Sequence, residues 1–247
     1  MNKFFTMLKT ELKLSFRGMD MMIFAVCMPV VIVILLGIIY GGKPAFDGAD
    51  YTFLEQSFGA VSTIAVCAGG VMGLPLVISD YRQKKILKRF KITPSSPLLL
   101  LSIQVAIYMI YSLIALVLIY LVSALLFGMS LKGAFLPFIG AFFLVMISMF
   151  SIGMLVGGVS PNTKIASVLA SLLYFPMLIF SGATLPYEVM PAALQKVADV
   201  LPLTQGIKLL KATSLGLPAE NGMASLIVMA MIAVVCGGLS IRFFQWE

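Results

Sequence analysis

Residues able to do acid–base, nucleophilic or metal chemistry are sparse in this 247-residue chain, and they do not cluster. There is no histidine, which removes the usual general base and the commonest metal ligand together. Cys27, Cys67 and Cys236 each lie inside an apolar run, far from one another. They read as small buried hydrophobes, not as a disulfide framework or redox pair. Gly41-Gly42-Lys43-Pro44 puts proline where a phosphate-binding loop carries its magnesium-binding hydroxyl, so it is no nucleotide site. Glu188 and Asp199 come nearest to a working carboxylate pair. They stand eleven residues apart on a proline-broken segment, where surface acids are more often solvated than catalytic.

Positive charge is the one concentrated resource. The stretch "DYRQKKILKRFK", Asp80 to Lys91, holds six of the 17 Lys and Arg: Arg82, Lys84, Lys85, Lys88, Arg89 and Lys91. Such a run can bind nucleic acid, attract a membrane surface, or serve as a handle for a partner protein. A nucleic-acid reader interleaves stacking aromatics and base-reading donors with its charge. Here only Tyr81 and Phe90 are beside it, so no nucleic-acid partner is expected.

The elements that must position this stretch are membrane spans. Only 11% of residues are charged and 61% are hydrophobic, against about a quarter charged in a soluble domain. Six runs are long and apolar enough to cross a bilayer: about residues 21–40 (with Pro29 as a kink), 56–79, 98–127, 135–157, 165–185 and 223–241. The first run is too long for a signal core and has no convincing cleavage site, so it reads as a retained span. Placing both termini on the cytoplasmic side gives the inner connections twelve basic residues and the outer ones five. The positive-inside rule selects that orientation and puts the basic stretch, within a loop at 80–97, inside the cell. The spans carry no Asp, Glu, Lys or Arg between those limits. That argues against a proton-coupled transporter and against acid–base catalysis within the bilayer. The 17 Met and 18 Phe are mostly lipid-facing packing, with a minority available to line a path for apolar molecules.

Two further segments flank the spans. Residues 3–19 form an amphipathic helix, with Phe4, Leu8, Leu12 and Phe16 on one side and Lys3, Lys9, Lys13 and Arg17 on another arc. It is suited to the headgroup layer. Residues 186–222 are apolar but broken by Pro186, Pro191 and Pro202, so they do not make another span. Helices at Ala192–Val200 and from Leu203 to about Ser214 are expected, forming an outer-face hairpin partly dipping into the membrane. Gly216 and Pro218 are its stop signals. The fold class is an all-α integral membrane protein, one transmembrane domain over 1–247.

Together these features resemble the permease of type-2 ATP-binding cassette exporters, the class that includes small drug and polysaccharide exporters. The resemblance rests on six spans in about 250 residues, the amphipathic helix before them, and the charged loop "SDYRQKKILKRFKITPSSP". Its most specific part is the outer segment "SGATLPYEVMPAALQKVADVLPLTQGIKLLK". The resemblance implies a pair of permease chains, as a homodimer or related heterodimer, with two copies of an ABC-type ATPase subunit below. ATP and magnesium would be held by that partner and no cofactor by this chain. It also implies a coupling helix at about Asp80–Lys91. On such a helix Ile86, Leu87 and Phe90 share one side and Arg82, Lys85 and Arg89 another. The apolar side would enter a cleft of the ATPase and the basic side would meet acids at its rim. The substrate path would run between the paired permeases, closed outside by the 186–222 hairpin and its prolines.

The expected function is therefore a permease subunit, not itself an enzyme, in the cytoplasmic membrane with both termini cytoplasmic. Its cargo would be hydrophobic or amphipathic, such as a drug, antibiotic or lipid-linked compound. A sugar polymer could also pass a path lined by Ser, Thr and aromatic groups. Six basic residues worth about 1 kcal/mol each against an anionic leaflet would explain the loop by lipid attraction alone. A passive channel or membrane scaffold tolerates charge-free spans equally well, and a membrane enzyme would have to use Glu188 and Asp199.

Overall fold

The computed structural model describes residues 3–18, 23–46, 48–91, 97–182, 187, 190–218 and 220–244. Among the described residues the regular secondary structure is all helical, with an isolated bridge between Pro44 and Thr52 in a connection. The helices are α1 Lys3–Gly18, α2 Ile23–Tyr40, α3 Phe53–Gln83, α4 Ile86–Lys91 and α5 Pro97–Phe127. They continue as α6 Phe135–Val159, α7 Thr163–Phe180, α8 Ala192–Val200, α9 Pro202–Leu215 and α10 Glu220–Phe243. Helices α2, α3, α5, α6, α7 and α10 are the six able by length and composition to cross a membrane.

Local chemistry explains most boundaries. Helix α3 starts earlier than the apolar run because Thr52 and Glu55 form a reciprocal capping box, satisfying two otherwise orphaned N–H groups. It runs on to Gln83, past the apolar limit, because polar residues there are held by neighbouring helices. Helix α9 starts on Pro202 and stops at Gly216, whose φ of 67° is left-handed. Pro29 and Pro75 act alike: in each case a π-helical turn, Ile23–Cys27 or Ala68–Gly73, ends two residues before the proline. Proline removes an N–H and crowds the carbonyl four residues back, and widening the preceding turn relieves both. The kink expected at Pro29 is thus a widened turn, and α3 carries a second one.

Helix α3 is the axis of the bundle, packed against α2, α5, α6, α7 and α9. Its approach to α6 is set by glycine. A Cβ on Gly153 would overlap the carbonyl oxygen of Gly70, and one on Gly70 would meet the Phe150 ring at 2.6 Å. Helix α9 closes on the other part of α3 in the same way: a Cβ on Gly59 would lie 2.8 Å from the Lys211 backbone nitrogen. Within 186–222 the two expected helices, α8 and α9, differ in how they pack. Helix α8 is mostly exposed, but α9 is wedged among α3, α6 and α10 with Leu203, Ile207 and Leu210 buried. Pro186 and Glu188 lie outside the described residues.

Helix α1 is present over Lys3–Gly18 and lies against the bundle. Phe4, Leu8 and Leu12 pack against the protein core, and α1 rests on α5. Phe16 is 45% exposed and touches the Tyr111 ring edge-on, with Phe5 and Leu14 also facing outward. The main apolar stripe is thus turned to the bundle, leaving a second, narrower apolar edge for lipid.

Gly153→Ala is expected to destabilise the bundle by about 1–3 kcal/mol, the usual cost of forcing a methyl group into a filled contact. At Gly140 an added Cβ meets nothing within 4 Å, so Gly140→Ala should be neutral or better. Thermal unfolding of both variants in detergent checks the contrast.

Candidate functional site

Three consecutive residues at the end of α3 reach three different elements. Tyr81 donates its hydroxyl to Glu11 Oε2 of α1 at 2.6 Å. Gln104 of α5 joins them, donating to Glu11 Oε2 at 3.0 Å and to the Tyr81 oxygen at 2.7 Å. Arg82 points the other way. Its guanidinium donates to the carbonyls of Gly157 and Gly158 at 2.9 Å each, and to that of Ser160, while lying 5.3 Å from the centre of the Phe244 ring. Those carbonyls close α6, where the helix dipole is negative, so a cation is well placed there. Gln83 accepts from the Thr163 backbone N–H at 3.2 Å and from its hydroxyl at 2.8 Å, at the start of α7.

The basic segment hangs from this joint. The Lys84 and Lys85 N–H groups donate to the carbonyls of Asp80 and Arg82, and Lys85 turns left-handed with φ 56°. Helix α4 then packs back on α3 and α5. Asp80–Lys91 is therefore not one continuous helix, because that turn separates its halves. Arg82, expected on the basic side with Lys85 and Arg89, is only 5% exposed and turned inward, whereas Lys85 is exposed. Leu87, expected on an outward apolar side, is buried at 1% exposure, with Ile86 half-buried against the same core. The side chains of Arg89 and Phe90 lie outside the described residues. Among the described residues, Lys84, Lys85 and Lys88 are exposed on α4 and its turn, Lys84 being paired to Asp80 at 2.8 Å.

At the opposite end of α3, Glu55 is 6% exposed and is approached by Lys132 at 3.5 Å and Ser130 at 3.3 Å, both on the connection into α6. The α8–α9 pair carries its own clasp. Asp199 takes hydrogen bonds from Lys208 at 2.6 Å and Tyr187 at 2.8 Å, and the Lys208 ammonium lies 4.0 Å from the Tyr187 ring centre. Partial burial raises the Asp199 carboxyl, but the Lys208 and Tyr187 contacts outweigh it and hold it below the usual carboxylate range. Pro191 and Pro202 sit at the starts of α8 and α9, shaping this clasp. Asp199 is thus engaged in a structural ion pair. Its proposed catalytic companion Glu188 lies outside the described residues.

Between α5, α6 and α10 lies a largely apolar cavity of about 260 Å³. Met109, Met146, Phe150 and Met154 line it, with Ser151 and Ser240 as its hydroxyl groups. Flexible thioethers suit such a cavity to apolar shapes of varied outline. Among the described residues there is no group of His, Cys, Asp and Glu able to hold a metal.

The family model for ABC-2 type transporters matches residues 2–215. The chain belongs to the ABC-2 type transporter family. It is similar to Nodulation protein J of Rhizobium leguminosarum bv. viciae, 35% identical over 85 residues, which are 34% of this chain and 33% of that protein. It is also similar to Nodulation protein J of Neorhizobium galegae, 32% identical over 71 residues, 29% of this chain and 27% of that one. The matched stretches span about a third or less of these relatives' length. An ABC-2 domain is the membrane component of ABC transporters and not itself catalytic, and the family works in general with an ABC ATPase.

In this ABC-2 chain the residues that organise the site are Glu11, Tyr81, Gln83 and Gln104, none of which stands out by pattern. For Tyr81 and Gln83 the signal is a run of polar residues continuing a buried helix beyond its apolar limit, and for Gln104 it is a lone amide inside an apolar span. Tyr81→Phe removes the hydroxyl shared by Glu11 and Gln104. It is expected to speed amide exchange through α1 about tenfold, as for loss of roughly 1.5 kcal/mol in a hydrogen bond to a charged group. A depressed carboxylate stabilises the fold above its unfolded-state value, near 4, and loses that effect as pH falls through the folded value. Lys208→Gln should therefore melt below wild type at pH 7, with the two curves converging as pH drops towards 3.

Proposed function

We propose that this chain is the permease subunit of an ATP-driven exporter, moving a hydrophobic or amphipathic molecule across the cytoplasmic membrane. The observation carrying this reading is the arrangement at the end of α3. A short, basic segment, exposed at Lys84, Lys85 and Lys88, is mounted on residues that grip α1, α6 and α7. A partner pushing on that segment would move several spans at once. Family membership supplies the kind of partner, an ABC ATPase holding ATP and magnesium, taken here as two copies. The positive-inside bias supports the cytoplasmic placement of both termini and of the segment.

The cargo class is supported by the Met-rich cavity between α5, α6 and α10, which offers two hydroxyls in an otherwise apolar wall. A second permease chain is part of this reading because the family resemblance implies one. With Leu87 buried, contact with the ATPase falls to the outward lysines, Ile86 and the residues at 89–91. The hairpin at 186–222 is assigned to closing the path at the outer face.

Co-expression of the chain with candidate ABC ATPases, followed by purification and reconstitution, tests the reading. The expected result is a retained ATPase and transport of an amphipathic dye only with hydrolysable ATP. Lys85→Glu with Lys88→Glu is expected to weaken ATPase retention about tenfold, as rim charge reversals do, and Phe90→Asp to abolish transport. Dye flux without nucleotide would mean a passive channel, and neither flux nor retained ATPase would mean a scaffold.

A further inference from the structure

We propose that Arg82 is a positioning residue, the joint that makes the 84–91 segment, the end of α6 and the end of α10 move as one body. The inference rests on the exporter reading for its function, though not for its geometry.

Arg82 joins two things through two parts of itself. Its own carbonyl accepts the Lys85 N–H at 2.8 Å, which fixes the left-handed turn leading into α4. Its side chain runs the opposite way, into the last turn of α6, and donates to the carbonyls of Gly157, Gly158 and Ser160. Phe244, just past the end of α10, lies near the guanidinium and is itself 9% exposed. One residue thus holds the root of the basic segment by its backbone and two spans by its side chain.

The chemistry requires arginine. Three carbonyls presented by one helix end need several donors in a fixed planar array, and a guanidinium supplies them with a charge that the helix dipole favours. A lysine ammonium retains the charge but is a single point on a flexible stem. The neighbouring Gln83–Thr163 bonds extend the grip to α7. From α6 the constraint continues through close contacts. Gly70 and Gly153 put α3 and α6 in backbone contact, and both helices pack on α9. Any displacement of α4 therefore reaches α9 through packed helices, because close-packed interiors transmit strain.

Spin labels at Lys88→Cys and Val159→Cys, in a chain with Cys27→Ala and Cys236→Ala, read the joint directly in nanodiscs without any ATPase; both label sites are exposed and Cys67 is buried. With Arg82 present a single narrow distance is expected. Arg82→Lys should widen the distribution about twofold or more, and in the complex with the ATPase raise ATP consumed per molecule transported about tenfold. Misfolding would lower hydrolysis and transport together, so that ratio separates a loose joint from a damaged fold. Should Arg82→Lys not fold, Phe244→Leu keeps the guanidinium and removes its aromatic neighbour, and the same widening is expected in smaller measure. An unchanged narrow distance in the variants would overturn the proposal. Absence of a retained ATPase on the wild-type chain would overturn the exporter reading alone.

Discussion

Backbone contact between α3 and α6 at Gly70 and Gly153 is the constraint on which the other positions depend. A Cβ at Gly153 would overlap the Gly70 carbonyl, so the two backbones can meet there only as glycine, with the Phe150 ring packed alongside. Packing and interhelical hydrogen bonds, not hydrophobic expulsion, hold helices together in lipid, so such contacts are where stability resides. Once α6 is held this close, α10 follows it. Ser148 of α6 donates to the carbonyl of Met229 at 2.7 Å, and the two helices run packed together. Gly59 then lets α9 approach α3 at backbone distance, completing the cover of the axis.

An axis buried on every side has a problem at its ends, where the polar residues begin. Here each end carries one charge that is more than nine-tenths buried, Glu55 at one and Arg82 at the other. A buried charge is tolerable only when paired and hydrogen-bonded. Glu55 is met by its own cap, Ser130 and Lys132, and Arg82 by the terminal carbonyls of α6. The partners lie before α6 in one case and at its end in the other. The same helix is thus fastened to α3 by glycine in its length and by charge at both extremities. The π turns preceding Pro29 and Pro75 touch each other in the same packed region, where α2 meets α3. They let two prolines sit in spans while the surrounding protein accommodates the disturbed backbone.

This construction suits a membrane component that receives work from elsewhere. The apolar runs within the spans carry no Asp, Glu, Lys or Arg, and the family works in general with an ABC ATPase. On the proposed exporter reading, the closely packed α3–α6 pair, with the basic segment at one end and α9 wedged along it, is a mechanical route that needs no charge movement through the bilayer. The Met-lined cavity lies beside this pair and not within it. Phe150 joins the two, lining the cavity and packing on Gly70.

Much of the architecture was legible in the residues alone. Hydropathy located the six spans, because a bilayer demands long uninterrupted apolar runs. Prolines and glycines marked the α8 and α9 boundaries, because backbone donors and left-handed turns are local matters. Amphipathic periodicity found α1 but not which way it faces, since lipid and protein are equally apolar to Phe4, Leu8 and Leu12. The same ambiguity misplaced Leu87. Arg82 shows the limit most plainly. Its spacing groups it with Lys85 and Arg89, yet it is turned inward because α6, some 75 residues further along, ends where its guanidinium can reach. Spacing determined which residues could share a helix face. Only the tertiary structure decided what each face meets, because the partners that satisfy a buried charge come from distant parts of the chain.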